Sequence, residues 1–427
     1  MYSVKAKIKT LISEGFFHIL IGNVLVKMVA FLSSIVIVRL VSKNDYAYLS
    51  YADNLYQYIN LLSGLGLSTA ILKFCSPERS KGENRYFFNV AMRVGVAFQL
   101  AISVLLVVIV FIVDIPFPAA RPIVLVLVLY PTITQVVTTL QSYIRSQLDN
   151  KLYAKMGVVQ TLVVFAISVL LATNLGIFGV AIARYVAMAI VIGLGVRFVH
   201  KNLPKEIEEE KAPKEEFKFF WKISISMMMA NLFSMIMPIN EMFLINNYIK
   251  DEIISANYKV AILIPSQIVF ITSSVVVYLF PKVAQLGKRL TVALKTTVKV
   301  EILLFIIITI VCIIGYAITP FLIKYVYGDK YLDAIELSKI YWVVYGLNAG
   351  FRMLPMNVLP AIGSTTFNSV TSIVSCIVHA VLLRLLIVRF GIYGAPYSLL
   401  IVYAVSGIGY WVYLYLKCSR NLNTQVL

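Results

Sequence analysis

The sequence predicts an all-α polytopic membrane protein with 12 transmembrane helices in two parallel six-helix repeats. Composition, the spacing of apolar windows and one duplicated glycine motif predict it. Of 427 residues, 60% are hydrophobic and 14% are charged, against about 45–50% and about 25% in soluble domains. Mean hydropathy is +0.86. A membrane-spanning helix takes about 20 apolar residues, so spans consume nearly the whole chain and leave no stretch to fold a water-soluble domain.

The first window, 16–38, follows Lys5, Lys7 and Lys9. It runs too far for the apolar core of a signal peptide and no small-residue cleavage site follows, so it reads as a retained helix. Windows at about 48–72, 87–113, 121–144, 155–173 and 176–199 complete the first half. Windows at about 220–247, 260–281, 298–323, 337–360, 366–390 and 392–416 make the second. The expected organisation is an N-terminal bundle over 1–199, a linker over 200–218 and a C-terminal bundle over 219–427. The linker is rich in Lys and Glu, carries Pro204 and Pro213, and reads as a solvated cytoplasmic connection.

Orientation follows from the cations, because Lys and Arg concentrate on the cytoplasmic side. With the N-terminus inside, 24 of the 38 Lys and Arg fall in inside segments and 10 in outside segments. Both termini are therefore expected in the cytoplasm. The repeat is read from Leu175-Gly-Ile-Phe-Gly179, which recurs as Phe390-Gly-Ile-Tyr-Gly394 at an offset of 215. Each copy joins the fifth and sixth helices of its half, and six is even, so both halves enter from the same side. Parallel repeats of this kind occur in secondary transporters.

Several function classes are excluded. The formal charge of +18 would suggest nucleic acid in a soluble protein. Here the cations lie in short runs between apolar windows, which is a topology signal. Cys75, Cys312, Cys376 and Cys418 are widely spaced and give neither a disulfide framework nor a zinc pattern. No phosphate-binding Gly-Lys-Ser/Thr loop, His-Glu-x-x-His or Gly-x-Ser-x-Gly is present. The sequence thus predicts no enzyme, no cofactor and no metal.

A set of motifs in fixed order carries a resemblance. They are Arg39-Leu-Val-Ser-Lys-Asn-Asp-Tyr46-Ala, Leu62-Ser-Gly-Leu-Gly-Leu-Ser-Thr-Ala70, Arg145-Ser-Gln-Leu-Asp-Asn-Lys and Ala256-Asn-Tyr258-Lys-Val-Ala261. Phe280-Pro281, Val326-Tyr-Gly328-Asp-Lys-Tyr331-Leu-Asp-Ala334, Ala361-Ile-Gly363 and Gly391-Ile-Tyr-Gly394-Ala follow. Over nearly its whole length the chain resembles the polysaccharide or O-antigen (Wzx-type) flippases of the multidrug/oligosaccharidyl-lipid/polysaccharide exporter superfamily. The resemblance implies two six-helix bundles around a central cavity. It also implies alternating-access transfer of polyprenyl-diphosphate-linked oligosaccharide to the outer leaflet of a bacterial inner membrane. Surface polysaccharide or lipopolysaccharide synthesis would be the setting, with H+ or Na+ as coupling ion and other polysaccharide-assembly proteins as partners.

Ionisable groups inside apolar windows are the candidate site, since each costs at least about 2.5–3.5 kcal/mol to insert and so faces a cavity or a partner. Lys27 lies mid-span in the first helix, Arg352 mid-span in the tenth and Arg184 in the outer half of the sixth. These three are the candidate substrate-binding cations: a diphosphate crossing the membrane needs fixed counter-charge, which Arg offers as a bidentate fork and Lys as a point charge. Arg93 is close enough to a helix end to snorkel. Asp53, Glu241 and His379 are the coupling or ion-pair candidates. The acids either exchange a coupling proton or pair with the cations, and His379 reads either as functional or as a satisfied interior histidine. Pro131, Pro238 and Pro355 fall inside windows and would bend them. A drug exporter of the same fold is the first rival, and its site would favour acidic and aromatic linings. A glycan polymerase or ligase is the second, but it would need a long outside loop.

Overall fold

The computed structural model describes residues 16–204, 206–285, 289–362 and 364–423. The amino-terminal lysines, Lys205 and Gly363 lie outside the described residues. The chain is helical almost throughout. In the first half the helices are α1 (Phe16–Leu40), α2 (Lys43–Leu61), α3 (Leu67–Phe74), α4 (Lys81–Ile112), α5 (Arg121–Val126), α6 (Tyr130–Ser146) and α7 (Asn150–Asn202). Then come α8 (Lys214–Ile249), α9 (Glu252–Leu263), α10 (Val269–Gln285), α11 (Leu290–Leu322), α12 (Ala334–Leu347), α13 (Met353–Ala361), α14 (Thr365–Phe390) and α15 (Gly394–Asn423). These elements map onto the 12 expected windows, because several windows are built from two helices and α7 holds two passes.

The folding-back points are where the glycine motif places them. Gly176 has φ 54° and ψ −134°, and a Cβ on Gly179 would lie 2.6 Å from the Leu171 carbonyl carbon. Gly391 has φ 57° and ψ −138°, and a Cβ on Gly394 would collide with the Leu386–Ile387 backbone. Each first glycine supplies a left-handed φ that other residues resist, and each second lets two helices touch at the backbone. The same hairpin is thus built at positions 215 residues apart.

The second pass of each half is interrupted. In the first half, Ser63, Gly64, Leu65 and Gly66 all have positive φ, from 39° to 73°. Left-handed backbone costs about 1–2 kcal/mol for each residue that is not glycine, so the break needs support. Gln99 gives it: its Oε1 accepts from the Gly64 N–H at 3.0 Å and its Nε2 donates to the Ile59 carbonyl at 3.1 Å. In the second half a short 3-10 turn, Pro265–Ile268, separates α9 from α10. Pro131 opens α6 and Pro355 falls in the first turn of α13 after a π-helical segment, Asn348–Arg352. Of the three prolines expected inside helices, only Pro238 is interior, because the chain relaxes its helix ahead of the other two.

Two compact units result, 1–235 and 236–427, so α8 contributes to both. In the first, α1 packs along the first pass of α7, and α3, α4 and α8 meet in an aromatic cluster of Phe74, Phe87 and Phe220. In the second, Leu279, Leu354, Leu359 and Tyr410 form the core among α10, α13 and α15.

The linker is tied down rather than loose. Arg79 pairs with Glu216, the Ser80 hydroxyl donates to Glu210, and Arg85 donates to the Pro204 carbonyl at 2.5 Å. Glu209 accepts from Asn89 at 2.7 Å and pairs with Arg93 at 3.5 Å. Its acidic run is complementary to the basic start of α4, a match that charge counting along the chain does not reveal.

Gly66 is the position where substitution should cost the most stability in the first unit. A Cβ there would collide with the Ser224 carbonyl and would meet the left-handed penalty as well. Gly66→Ala is expected to lower the melting temperature of the detergent-solubilised protein by several degrees, an effect of about 2 kcal/mol or more. Gly193→Ala, with nothing within 4 Å of the added carbon, should be neutral or slightly stabilising. Equal melting temperatures for the two variants would contradict the strain assigned to the break.

Candidate functional site

In the first unit the structure joins two candidates. Arg184, on the second pass of α7, makes a bidentate pair with Asp53 on α2: Nη1 to Oδ1 at 2.5 Å and Nη2 to Oδ2 at 2.8 Å. The guanidinium stands 5.4 Å from the centre of the Tyr130 ring. Tyr56 and Tyr185 brace the same region by donating to the Val124 and Val126 carbonyls at 2.5 and 2.6 Å. The Arg184 charge is therefore neutralised within its own unit. Lys27 occupies an exposed position on α1, one residue after Val26, which packs toward Gly157.

Beside the broken second pass lies a polar cluster. Gln135 donates to the Ser68 hydroxyl at 2.6 Å and to Thr139 at 3.3 Å. Gln99, Gln135, Ser68 and Thr139 are all buried. Amides can donate and accept at once, and Gln99 uses both groups to replace backbone bonds that the break removes, while Gln135 ties the Ser68 and Thr139 hydroxyls together.

In the second unit Arg352 is buried, at the end of the π-helical segment. Its Nε donates to the Ser406 hydroxyl at 2.8 Å and its Nη1 to Asn348 Oδ1 at 3.1 Å. The rings of Tyr403 and Tyr410 lie 5.0 and 5.8 Å from the guanidinium carbon. All these partners are neutral, and no carboxylate pairs with Arg352 among the described residues. No carboxylate there offsets the guanidinium, whereas Asp53 offsets that of Arg184. The π-helical turn is itself braced: Thr272 donates to the Ala349 carbonyl at 2.7 Å and Trp411 to the Phe351 carbonyl at 2.9 Å.

Glu241 is buried on α8 and accepts from the Tyr341 hydroxyl at 2.6 Å, with the Tyr258 hydroxyl as a second partner. Its neighbours are phenols, not the cations. His379 is fully buried on α14, and neither ring nitrogen has a hydrogen-bond partner among the described residues. Glu301 on α11 is 7% exposed and both its carboxyl oxygens are equally unpartnered among those residues. Charge counting passes over Glu301 because it sits at the edge of a window, beside Lys299. Gln99 and Gln135 are legible by the same rule that singles out the charges, as polar residues within apolar windows. Among the described residues no group of three His, Cys, Asp or Glu could hold a metal ion.

The fold is that of multi-pass membrane transporters. The chain superposes on a lipid II flippase, MurJ, in an inward closed conformation with a TM-score of 0.71 and 14% identity, covering 96% of this chain and 90% of that one. An inward-facing multidrug resistance MATE family transporter of the MOP superfamily gives 0.71 at 15% identity, with 93% and 96% covered. A point mutant of the Vibrio cholerae MATE transporter VcmN gives 0.65 at 15% identity, with 98% of each chain covered. No curated protein sequence matches the chain. Its own sequence places it further: residues 12–287 match the polysaccharide biosynthesis protein family. The chain belongs to that family.

Proposed function

We propose that this protein moves polyprenyl-diphosphate-linked oligosaccharide units from the inner to the outer leaflet of a bacterial cytoplasmic membrane, by alternating access and with both termini in the cytoplasm. The observation that carries the reading is a polysaccharide biosynthesis family match on a transporter fold whose spans hold a charged, carboxylate-free Arg352. A diphosphate entering the membrane interior must exchange its hydration for fixed positive charge. Arg352 is the candidate to supply it in the second unit, and Lys27 is a separate candidate in the first. Arg184 serves instead to hold α2 to α7 through Asp53, and Glu241 and His379 are the groups through which H+ or Na+ coupling would act. The polymer served is a surface polysaccharide such as O-antigen, assembled with glycosyltransferases and a polymerase.

Equal likeness to a MATE transporter favours drug export as the rival, and one experiment separates them. Deleting the gene is expected to leave lipid-linked repeat units on the cytoplasmic face and to deplete surface polymer, with drug susceptibility unchanged. Normal arrival of those units at the outer leaflet, in a strain without a second flippase, would refute the proposal.

A further inference from the structure

On the face of the second unit formed by α11 and α15, two grooves run into each other. One, of about 330 Å³, is lined by Glu301, Phe305, Ile306 and Phe351. The other, of about 690 Å³, is lined by Lys295, Lys299, Tyr415 and Leu416. Val298, Ile302 and Trp411 line both, so the two are one continuous channel along the helices. Its floor is apolar and its flanking residues, Ile302, Phe305 and Tyr415, are more than half exposed. The Trp411 indole is held beside it by its N–H bond to the Phe351 carbonyl at 2.9 Å.

Two polar features break the apolar lining. Lys295 and Lys299 are one turn apart, exposed, and edge the groove at the end where α11 begins. Glu301 lies deeper, and its carboxyl has no hydrogen-bond partner among the described residues. A hydrocarbon chain alone would satisfy the floor and leave the buried carboxyl unpaired, which is unfavourable. A molecule with a chain, an oxygen-rich junction and an anionic head, in that order, satisfies all three.

We propose that this groove binds an anionic glycerophospholipid of the surrounding membrane. One acyl chain lies along Val298, Ile302 and Phe305. The Glu301 carboxyl, as the acid, donates to an ester carbonyl of the glycerol backbone. The phosphate sits between Lys295 and Lys299, whose stems extend toward the headgroup region. The site is separate from Arg352, and its test does not depend on what the protein transports.

The test is native mass spectrometry of the full-length protein in detergent, with phosphatidylglycerol or phosphatidylcholine added at equal concentration. The wild type should retain phosphatidylglycerol about tenfold better, since each lysine near a membrane surface favours anionic lipid substantially. The double variant K295Q/K299Q should lose most of that preference while holding phosphatidylcholine as before. Removing the same charge from the linker, K211Q/K214Q, should leave it intact. Ile302→Trp, which fills the groove, should reduce retention of both lipids, and Glu301→Leu should reduce both about threefold or more. Monodisperse elution of each variant shows that it is folded. No preference in the wild type, or an unchanged preference in K295Q/K299Q, would overturn the site. So would displacement of the phospholipid by equimolar polyprenyl phosphate, or by a second copy of the chain whose association Ile302→Trp abolishes.

Discussion

Arg352→Ala should slow transport of lipid-linked glycan at least tenfold while the protein still reaches the membrane. Two charge-assisted hydrogen bonds and two aromatic faces hold the guanidinium without neutralising it. Each charge-assisted bond to a diphosphate contributes about 1.5–3 kcal/mol, and about 1.4 kcal/mol is a factor of ten in rate. Arg352→Lys should fall between the two, because an ammonium keeps the charge but cannot reach Ser406 and Asn348 as a planar fork does. Lys27→Ala should behave like Arg352→Ala, and Lys27→Arg should keep partial activity. The measurement is outer-leaflet glycan normalised to protein in the membrane. Normal specific activity in both alanine variants would remove these residues from the transport path.

The second large effect concerns folding rather than transport. Arg184→Ala leaves Asp53 without its bidentate partner. Breaking a buried pair on one side costs about 3–5 kcal/mol, and the lower end applies because the Asp53 side chain is 31% exposed. A loss of about 3 kcal/mol should appear as sharply reduced membrane abundance. Asp53→Ala should do similar damage, and Asp53→Asn with Arg184→Gln, which removes both charges, should recover much of it. A double-neutral variant as depleted as the worse single one would show that the pair is not what stabilises this corner. The two residues thus separate in kind from Arg352: one set should change abundance, the other specific activity.

How much of this was legible beforehand depends on the range of the interaction concerned. The 12 windows and the paired glycine hairpins are local and periodic, so hydropathy and a short repeat show them. The candidate charges were legible one at a time, because any ionisable group in an apolar window is conspicuous. Their partners were not. Asp53 and Arg184 are 131 residues apart, and Glu241 and Tyr341 are 100 apart. Nothing along the chain marks Tyr341 among 26 tyrosines. The linker shows the same limit from the other side. Its composition reads as solvated, and its residues are largely exposed, yet complementary charges at the start of α4 fix its path.

The two glycine hairpins bear on how the chain is made. Between the fifth and sixth passes of each half there is no hydrophilic segment long enough to be threaded across the bilayer on its own. The two passes therefore leave the ribosome as material for a single helical wedge, first around Gly176 and again around Gly391. Because 215 residues separate the two glycines, the first wedge can enter the membrane before the second has been made.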